Sequence, residues 1–282
     1  MAHRTRERPR GPVAWAVLGV SVVTVAALLL LPLVVVFVEA FREGPARWVS
    51  AVSSPDTVSA LKLTGLVLAL VVPFHLVFGV AAAWLLTRYD FPGKGIVLTL
   101  VDLPFAVSPV VSGLLFVLLF GARGFFGPWL IDHGIRIVYA VPGIVLATLF
   151  VTLPFVTREL VPLLDAQGRE EEEAAASLGA GAMHILFRVT LPRIKWGVLY
   201  GGVLCAARAA GEFGAVSVVS GQLRGETVTL PLHVEVRYDE YAFVDAFAVA
   251  TLLAFSGLAT LGFKAWLEER ARRAMRTTGG SG

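Results

Sequence analysis

The chain has a single cysteine, Cys205, so no intramolecular disulfide can staple it. Charge is scarce: 16% of residues are Asp, Glu, Lys or Arg, against 56% hydrophobic ones. The five histidines, His3, His75, His133, His184 and His233, stand apart, without the close spacing of metal ligands. No GxxxxGK[ST] phosphate loop occurs; Gly93-Lys94-Gly95 lacks the upstream glycine and the hydroxyl. GxSxG and HExxH are missing too, which removes two common hydrolase signatures. Nothing alternates polar and apolar residues as a membrane barrel strand does. These absences argue against an enzyme, against ATP binding by that route and against a metal site.

What is abundant is apolar sequence. The mean hydropathy of the 282 residues is +0.76, more than a soluble core of this size needs. Six stretches (13–38, 63–87, 96–120, 137–157, 196–222 and 242–263) reach the roughly 20 residues with which a helix crosses about 30 Å of hydrocarbon. The first and fourth hold no charge. The second holds His75, the third Asp102, the fifth Arg208 and Glu212, and the sixth Asp245. The expectation is an all-α, polytopic membrane protein with six transmembrane helices.

Lys and Arg set the orientation. If the tail with Arg4, Arg6, Arg8 and Arg10 is inside, inside segments carry sixteen basic residues against seven outside. That predicts a cytoplasmic-membrane protein with both termini in the cytoplasm. The pI of about 9.2 then needs no nucleic acid, because basic flanks can meet anionic lipid headgroups. The run 13–38 is too long for the core of a cleaved signal and reads as a retained helix. Prolines at 32, 73, 104, 109, 142 and 154 read as bends that neighbouring helices make tolerable. Gly201, Gly202, Ala206, Ala207, Ala209, Ala210 and Gly211 crowd the fifth stretch and predict close helix approach. Cys205 reads as one more small packing residue. The chain divides into 1–57 (tail, first helix and external loop), 58–266 (transmembrane domain, with an inner loop of about 158–195) and 267–282 (inner tail).

The densest charge lies in that inner loop, EEEEAAASLGAGAMHILFRVTLP. Four glutamates suit the first turn of a helix, and alanines continue it. Leu178 ends it, and Gly179-Ala180-Gly181 permits a sharp turn. A second short helix then carries Ile185, Leu186 and Val189, and Pro192 opens the next span. Glu170, Glu171 and Glu172 are expected to add only solubility and helix-start stabilisation. On these grounds the element is either a docking surface for a soluble partner or a solvated cap on the fifth span.

Arg208 and Glu212 are four apart and share a helix face. One charge at a span centre costs about 2.5–3.5 kcal/mol, so pairing or a wet cavity is expected. The pair is either a structural salt bridge or a cation beside an anion route. Arg224 and Glu226, in RGETVTLPL, are either an outer gate or binding-protein contact, or plain loop. Asp102 is expected to meet loop backbone or headgroup water, with no role.

Glu173-Ala174-Ala175, three residues, Gly179, nine residues, then Val189-x-Leu191-Pro192 resembles the EAA motif of ABC-importer permeases. The one departure is Val189, where that family has isoleucine. DLPFAVSPVVSGLLF, TLPFVTRELVP, ARAAGEFGAVSVVSG and RGETVTLPL extend the resemblance over nearly the whole chain, to permeases of sulfate and molybdate importers and above all to the W-type sulfate/thiosulfate subunit. The resemblance implies a type I ABC importer permease fold. It implies that Glu173, Ala174, Ala175, Gly179, Val189, Leu191 and Pro192 couple to an ATPase dimer, which uses the ATP and Mg, while this chain binds no cofactor. It also implies a T-type permease as second subunit and an external sulfate-binding protein. The alternatives are a molybdate or tungstate importer, and an ion-coupled secondary anion transporter. The latter needs acidic residues and broken helices converging at mid-membrane.

Overall fold

The computed structural model describes residues 11–278; residues 1–10, with the four tail arginines, and 279–282 lie outside the described residues. The chain order is α1 (Pro12–Ala40), α2 (Pro45–Val52), α3 (Pro55–Arg88), α4 (Lys94–Ala106), α5 (Pro109–Phe120), α6 (Gly127–Asp132), α7 (Val141–Thr152) and α8 (Pro154–Gln167). Then come α9 (Glu170–Ser177), α10 (Ala182–Ile185), a π-helical turn (Leu186–Thr190), α11 (Leu191–Ala210), α12 (Gly214–Val219), α13 (Leu230–Asp239) and α14 (Phe243–Thr278). The architecture is all-helical, and the segment beyond residue 266 continues α14.

The all-helical membrane architecture is as expected, but six spans are not all found: the described residues hold four candidate spans, or five if one bent pair counts as a span. Among the described residues, the four helices long and apolar enough to cross a bilayer are Val13–Ala40, Pro55–Arg88, Val141–Gln167 and Phe243–Trp266. The third stretch is a pair, α4 and α5, bent by 108°. Pro109 has no N–H to give a helix and pushes the residue before it out of helical geometry; Ser108 accordingly sits at ψ 136°. The fifth stretch breaks as well, at Gly211–Phe213, between α11 and α12. The fourth runs past 157, because a hydropathy window halts at Arg158 whereas the helix goes on to Gln167.

Two apolar clusters hold the bundle. In one, Leu63, Val67 and Val71 of α3 meet Ile144, Ala147 and Val151 of α7 and Ala215, Val216 and Val219 of α12. In the other, Val156, Leu160 and Leu164 of α8 meet Ala83 of α3 with Ile194 and Cys205 of α11. Cys205 is thus a core residue, fully buried. His75, also fully buried, lies 2.9 Å through Nε2 from Thr152 Oγ1, which itself donates to the Thr148 carbonyl. Small residues let the helices approach as expected, since a Cβ on Gly201 would already touch Val156 Cα at 3.4 Å. Gly79 is tighter still, since a Cβ there would fall 2.5 Å from Val156 Cγ1. Helix α1 leans on α14, with Phe37 edge-on to Phe255 at 5.3 Å.

Gly79→Val is therefore expected to destabilise the chain by about 1–3 kcal/mol, the usual range for overpacking a filled contact. Gly65→Val, on the same helix with nothing within 4 Å of its Cβ position, should be nearly neutral. Thermal unfolding in one detergent compares them; equal losses at both positions would contradict the packing described.

Candidate functional site

The inner loop is clamped to the bundle. Helix α8 stops at Gly168, whose φ of 71° few side chains tolerate, and α9 starts at Glu170. Glu172 turns inward and is 8% exposed. Its Oε2 meets Arg88 Nε at 2.6 Å, and its Oε1 accepts from Thr190 Oγ1 at 2.7 Å. Arg88, the last residue of α3, also donates to the carbonyls of Leu164 (3.2 Å) and Gly168 (3.0 Å). Arg169 donates to the Thr87 carbonyl. Arg193, in the first turn of α11, pairs with Glu171 at 3.3 Å. One guanidinium thus joins α3, α8 and α9, and Glu172 extends the join to the end of the π-helical turn.

This corrects the reading of the glutamate run. Glu170 and Glu173 are exposed, but Glu172 is a buried half of an ion pair and Glu171 pairs at the surface. Arg88 was absent from the sequence-derived site. The available signal was helical phase: Glu172 and Ala175, three apart, lie on the same inward side of α9.

Helix α9 closes as the glycine predicts. Gly179 has φ 88°, its N–H reaches the Ala176 carbonyl, and the Ala180 N–H reaches back to the Ala175 carbonyl. That crossed pair is the Schellman arrangement. Beyond it Ile185 and Leu186 are buried and fasten the second half, while Val189 is half-buried. The outward face carries Leu178 (90% exposed), Met183 (62%) and Phe187 (58%), with Glu173, Ala174 and Ala176 beside them. Leu191 and Pro192 form the first turn of α11.

Arg208 and Glu212 meet at 2.7 Å, with side-chain exposures of 33% and 1%. They do not share one helix: α11 ends at Ala210, and Glu212 lies in the break. There its Oε1 accepts from the Ala215 N–H at 2.9 Å and so caps α12. Glu212 has a structural task, and the positive partner keeps the accessible side. Asp102, expected to meet backbone or headgroup water, instead pairs with Arg158 through two bonds of 2.7 and 3.0 Å.

At the opposite end of the bundle Arg224 is fastened within the chain. It pairs with Glu240 and lies 3.9 Å from Asp56, while Arg237 reaches Asp56 at 3.2 Å and Glu240 at 3.3 Å. Glu226 is exposed in the adjacent turn and makes no ion pair among the described residues. Buried His233 contacts Thr57 Oγ1 at 3.1 Å. Burial first, then the Arg237 charge, lowers its pKa from 6.5 to about 4.

Two outcomes follow. Arg88→Ala should cost roughly 3–5 kcal/mol, because it strands the Glu172 carboxylate. Glu172→Gln should cost less, since an amide oxygen still accepts from Thr190, and Glu170→Gln should cost almost nothing; protease cleavage within the loop reads all three. For His233 the folded state binds fewer protons than the unfolded one between pH 6.5 and 4, so its contribution is intact above 6.5 and is lost as pH falls through that window. His233→Gln should flatten this part of the stability profile, and a profile with unchanged slope would refute the assignment.

The model of the binding-protein-dependent transport system inner membrane component family matches residues 75–273. The sulfate transport system permease protein CysW of Escherichia coli (strain K12) is 47% identical over 256 residues, covering 91% of this chain and 88% of that protein. The permease CysT of the same strain is 36% identical over 244 residues, covering 86% and 88%. Among solved structures, a bacterial alginate ABC transporter in complex with an alginate pentasaccharide-bound periplasmic protein superposes with a TM-score of 0.76 at 18% identity, over 93% of this chain and 94% of that one. That likeness concerns the fold alone. A loop braced on three spans, the broken helices and the extent of these matches lead to one conclusion: the chain belongs to the binding-protein-dependent transport system inner membrane components, the permeases of ABC importers.

Proposed function

We propose that the chain is the W-type permease subunit of an ATP-driven importer of sulfate and thiosulfate. The carrying observation is the inner loop: an apolar face of Leu178, Met183 and Phe187 turned to solvent, on a base held by the buried Arg88–Glu172 pair. Solvated apolar side chains at the tip of a braced element fit a groove on a soluble partner. In this reading Glu173, Ala174, Ala175 and Gly179 enter a cleft of the ATPase dimer, and Val189, Leu191 and Pro192 join the element to α11. ATP and Mg belong to that partner, and the chain itself breaks no bond. Sulfate is favoured over molybdate or tungstate by the sulfate permeases at 47% and 36% identity. Their two names also support a T-type subunit as the second permease.

Orientation follows from the loop. With α9 and α10 on the cytoplasmic side of the bacterial inner membrane, the start of α1 and the end of α14 lie there too, in keeping with cytoplasmic termini, and α2, α6 and α13 face the external sulfate-binding protein. Glu226, exposed beside the fastened Arg224, is the candidate contact with that protein. Arg208 keeps a third of its side chain accessible while its carboxylate partner is buried, which supports a role beside the anion route.

Gly179→Leu forces a side chain into a left-handed position and should abolish co-purification with the ATPase and ATP-dependent uptake together. Leu178→Glu should do the same without backbone strain. Undiminished association in both variants would sink the coupling assignment. Arg208→Ala should lower sulfate uptake while the complex still assembles, and wild-type uptake at equal membrane abundance would remove it from the pathway.

A further inference from the structure

Helix α4 packs on α7 and α8 with Val101 and Pro104 buried, and it meets α8 through Phe105 edge-on to Phe155 at 5.3 Å and through the Asp102–Arg158 pair. Both charged side chains are accessible, Arg158 by 59% and Asp102 by 39%. Exposed apolar side chains flank the pair on both sides along α4. Asp102 stands eight residues, or about 12 Å, along α4 from Lys94. Exposed Ile96, Leu98 and Leu100 precede it and exposed Leu103 and Phe105 follow it. A charge pair on such a belt cannot face hydrocarbon cheaply, so this face looks onto water or protein.

The guanidinium is also incompletely used. Asp102 takes one N–H from Nε and one from Nη2, and the ring of Phe105 backs the plane at 4.9 Å. Three of its five N–H bonds have no partner among the described residues. A planar fork held by a carboxylate on one edge presents the other edge to a second acceptor. Asp102 cancels the formal charge of the pair, so an anion would be held by directed N–H bonds alone and weakly enough to leave again, as conduction requires.

We propose that Arg158 is a stepping site for a tetrahedral oxyanion on the loop-side half of the pathway, with Asp102 orienting it and limiting its grip. The proposal rests on the importer reading above. The same three N–H bonds could take the phosphate of a lipid headgroup, which shares the oxyanion chemistry.

The test uses the complete complex of both permeases, ATPase and binding protein in vesicles, with radiolabelled sulfate outside and unlabelled sulfate preloaded inside. Arg158→Gln should slow uptake by about tenfold, the weight of one charge-assisted contact. Arg158→Lys, which keeps the charge and loses the fork, should fall between. Asp102→Asn should make uptake stop at about tenfold lower inner sulfate. The swap Asp102→Arg with Arg158→Asp should assemble yet not transport. Restored uptake in the swap would show a mere latch between α4 and α8, and wild-type uptake in Arg158→Gln would overturn the site outright. If Arg158→Gln fails to assemble, unchanged inner-side inhibition in Asp102→Asn overturns it instead. An Arg158→Gln defect confined to vesicles with anionic lipid would assign the acceptor to a headgroup and also overturn it. Absence of ATP-dependent uptake in the wild-type complex would strike the importer reading rather than this residue.

Discussion

Arg88 ends a 34-residue helix inside the protein rather than in water, and its guanidinium faces one carboxylate and two backbone carbonyls. Each of these acceptors belongs to chain that must otherwise find a donor: the end of α8, the turn at Gly168, and Glu172. Two desolvated charges repay their burial only when the remaining donors and lone pairs are also satisfied. Here each guanidinium nitrogen of Arg88 has an acceptor, and Thr190 meets the second oxygen of Glu172. The loop is consequently part of the bundle, and a push on its exposed tip is delivered to α3, α8 and α11 together.

The membrane layer imposes the second constraint, that freed backbone groups be met within the protein. The two broken spans meet it by packing on each other. A Cβ on Gly113 of α5 would fall 2.7 Å from the Ala215 carbonyl of α12, and one on Gly214 would fall 2.9 Å from Pro109. Glu212 caps the new helix start and Arg208 balances it. Two elbows held so closely couple the middle of the bundle to the ends of both broken helices.

Sequence reasoning reached what is local or periodic. Apolar runs located the spans, and the left-handed turn at Gly179 and the spacing to Pro192 were legible because each depends on residues a few positions apart. It missed what depends on long-range partners or on phase. Which of four adjacent glutamates turns inward depends on Arg88, 84 positions away. The break at Glu212 was hidden because an i, i+4 pair suits an unbroken helix equally well. Arg158 was assigned to a loop because a charge usually marks the end of an apolar run, and its partner Asp102 lies 56 positions away on α4.

The central claim is that the loop moves as one body with α3 when nucleotide binds. The most direct measurement is the distance between spin labels at Glu170→Cys and Leu85→Cys, in a chain with Cys205 replaced by alanine and within the transporting complex. The account predicts that this distance stays within about 2 Å between the nucleotide-free and ATP-bound states, the scale of shifts between packed helices. A change of about 5 Å or more, the scale of a one-turn slip, would show the loop working free of α3 and would contradict it.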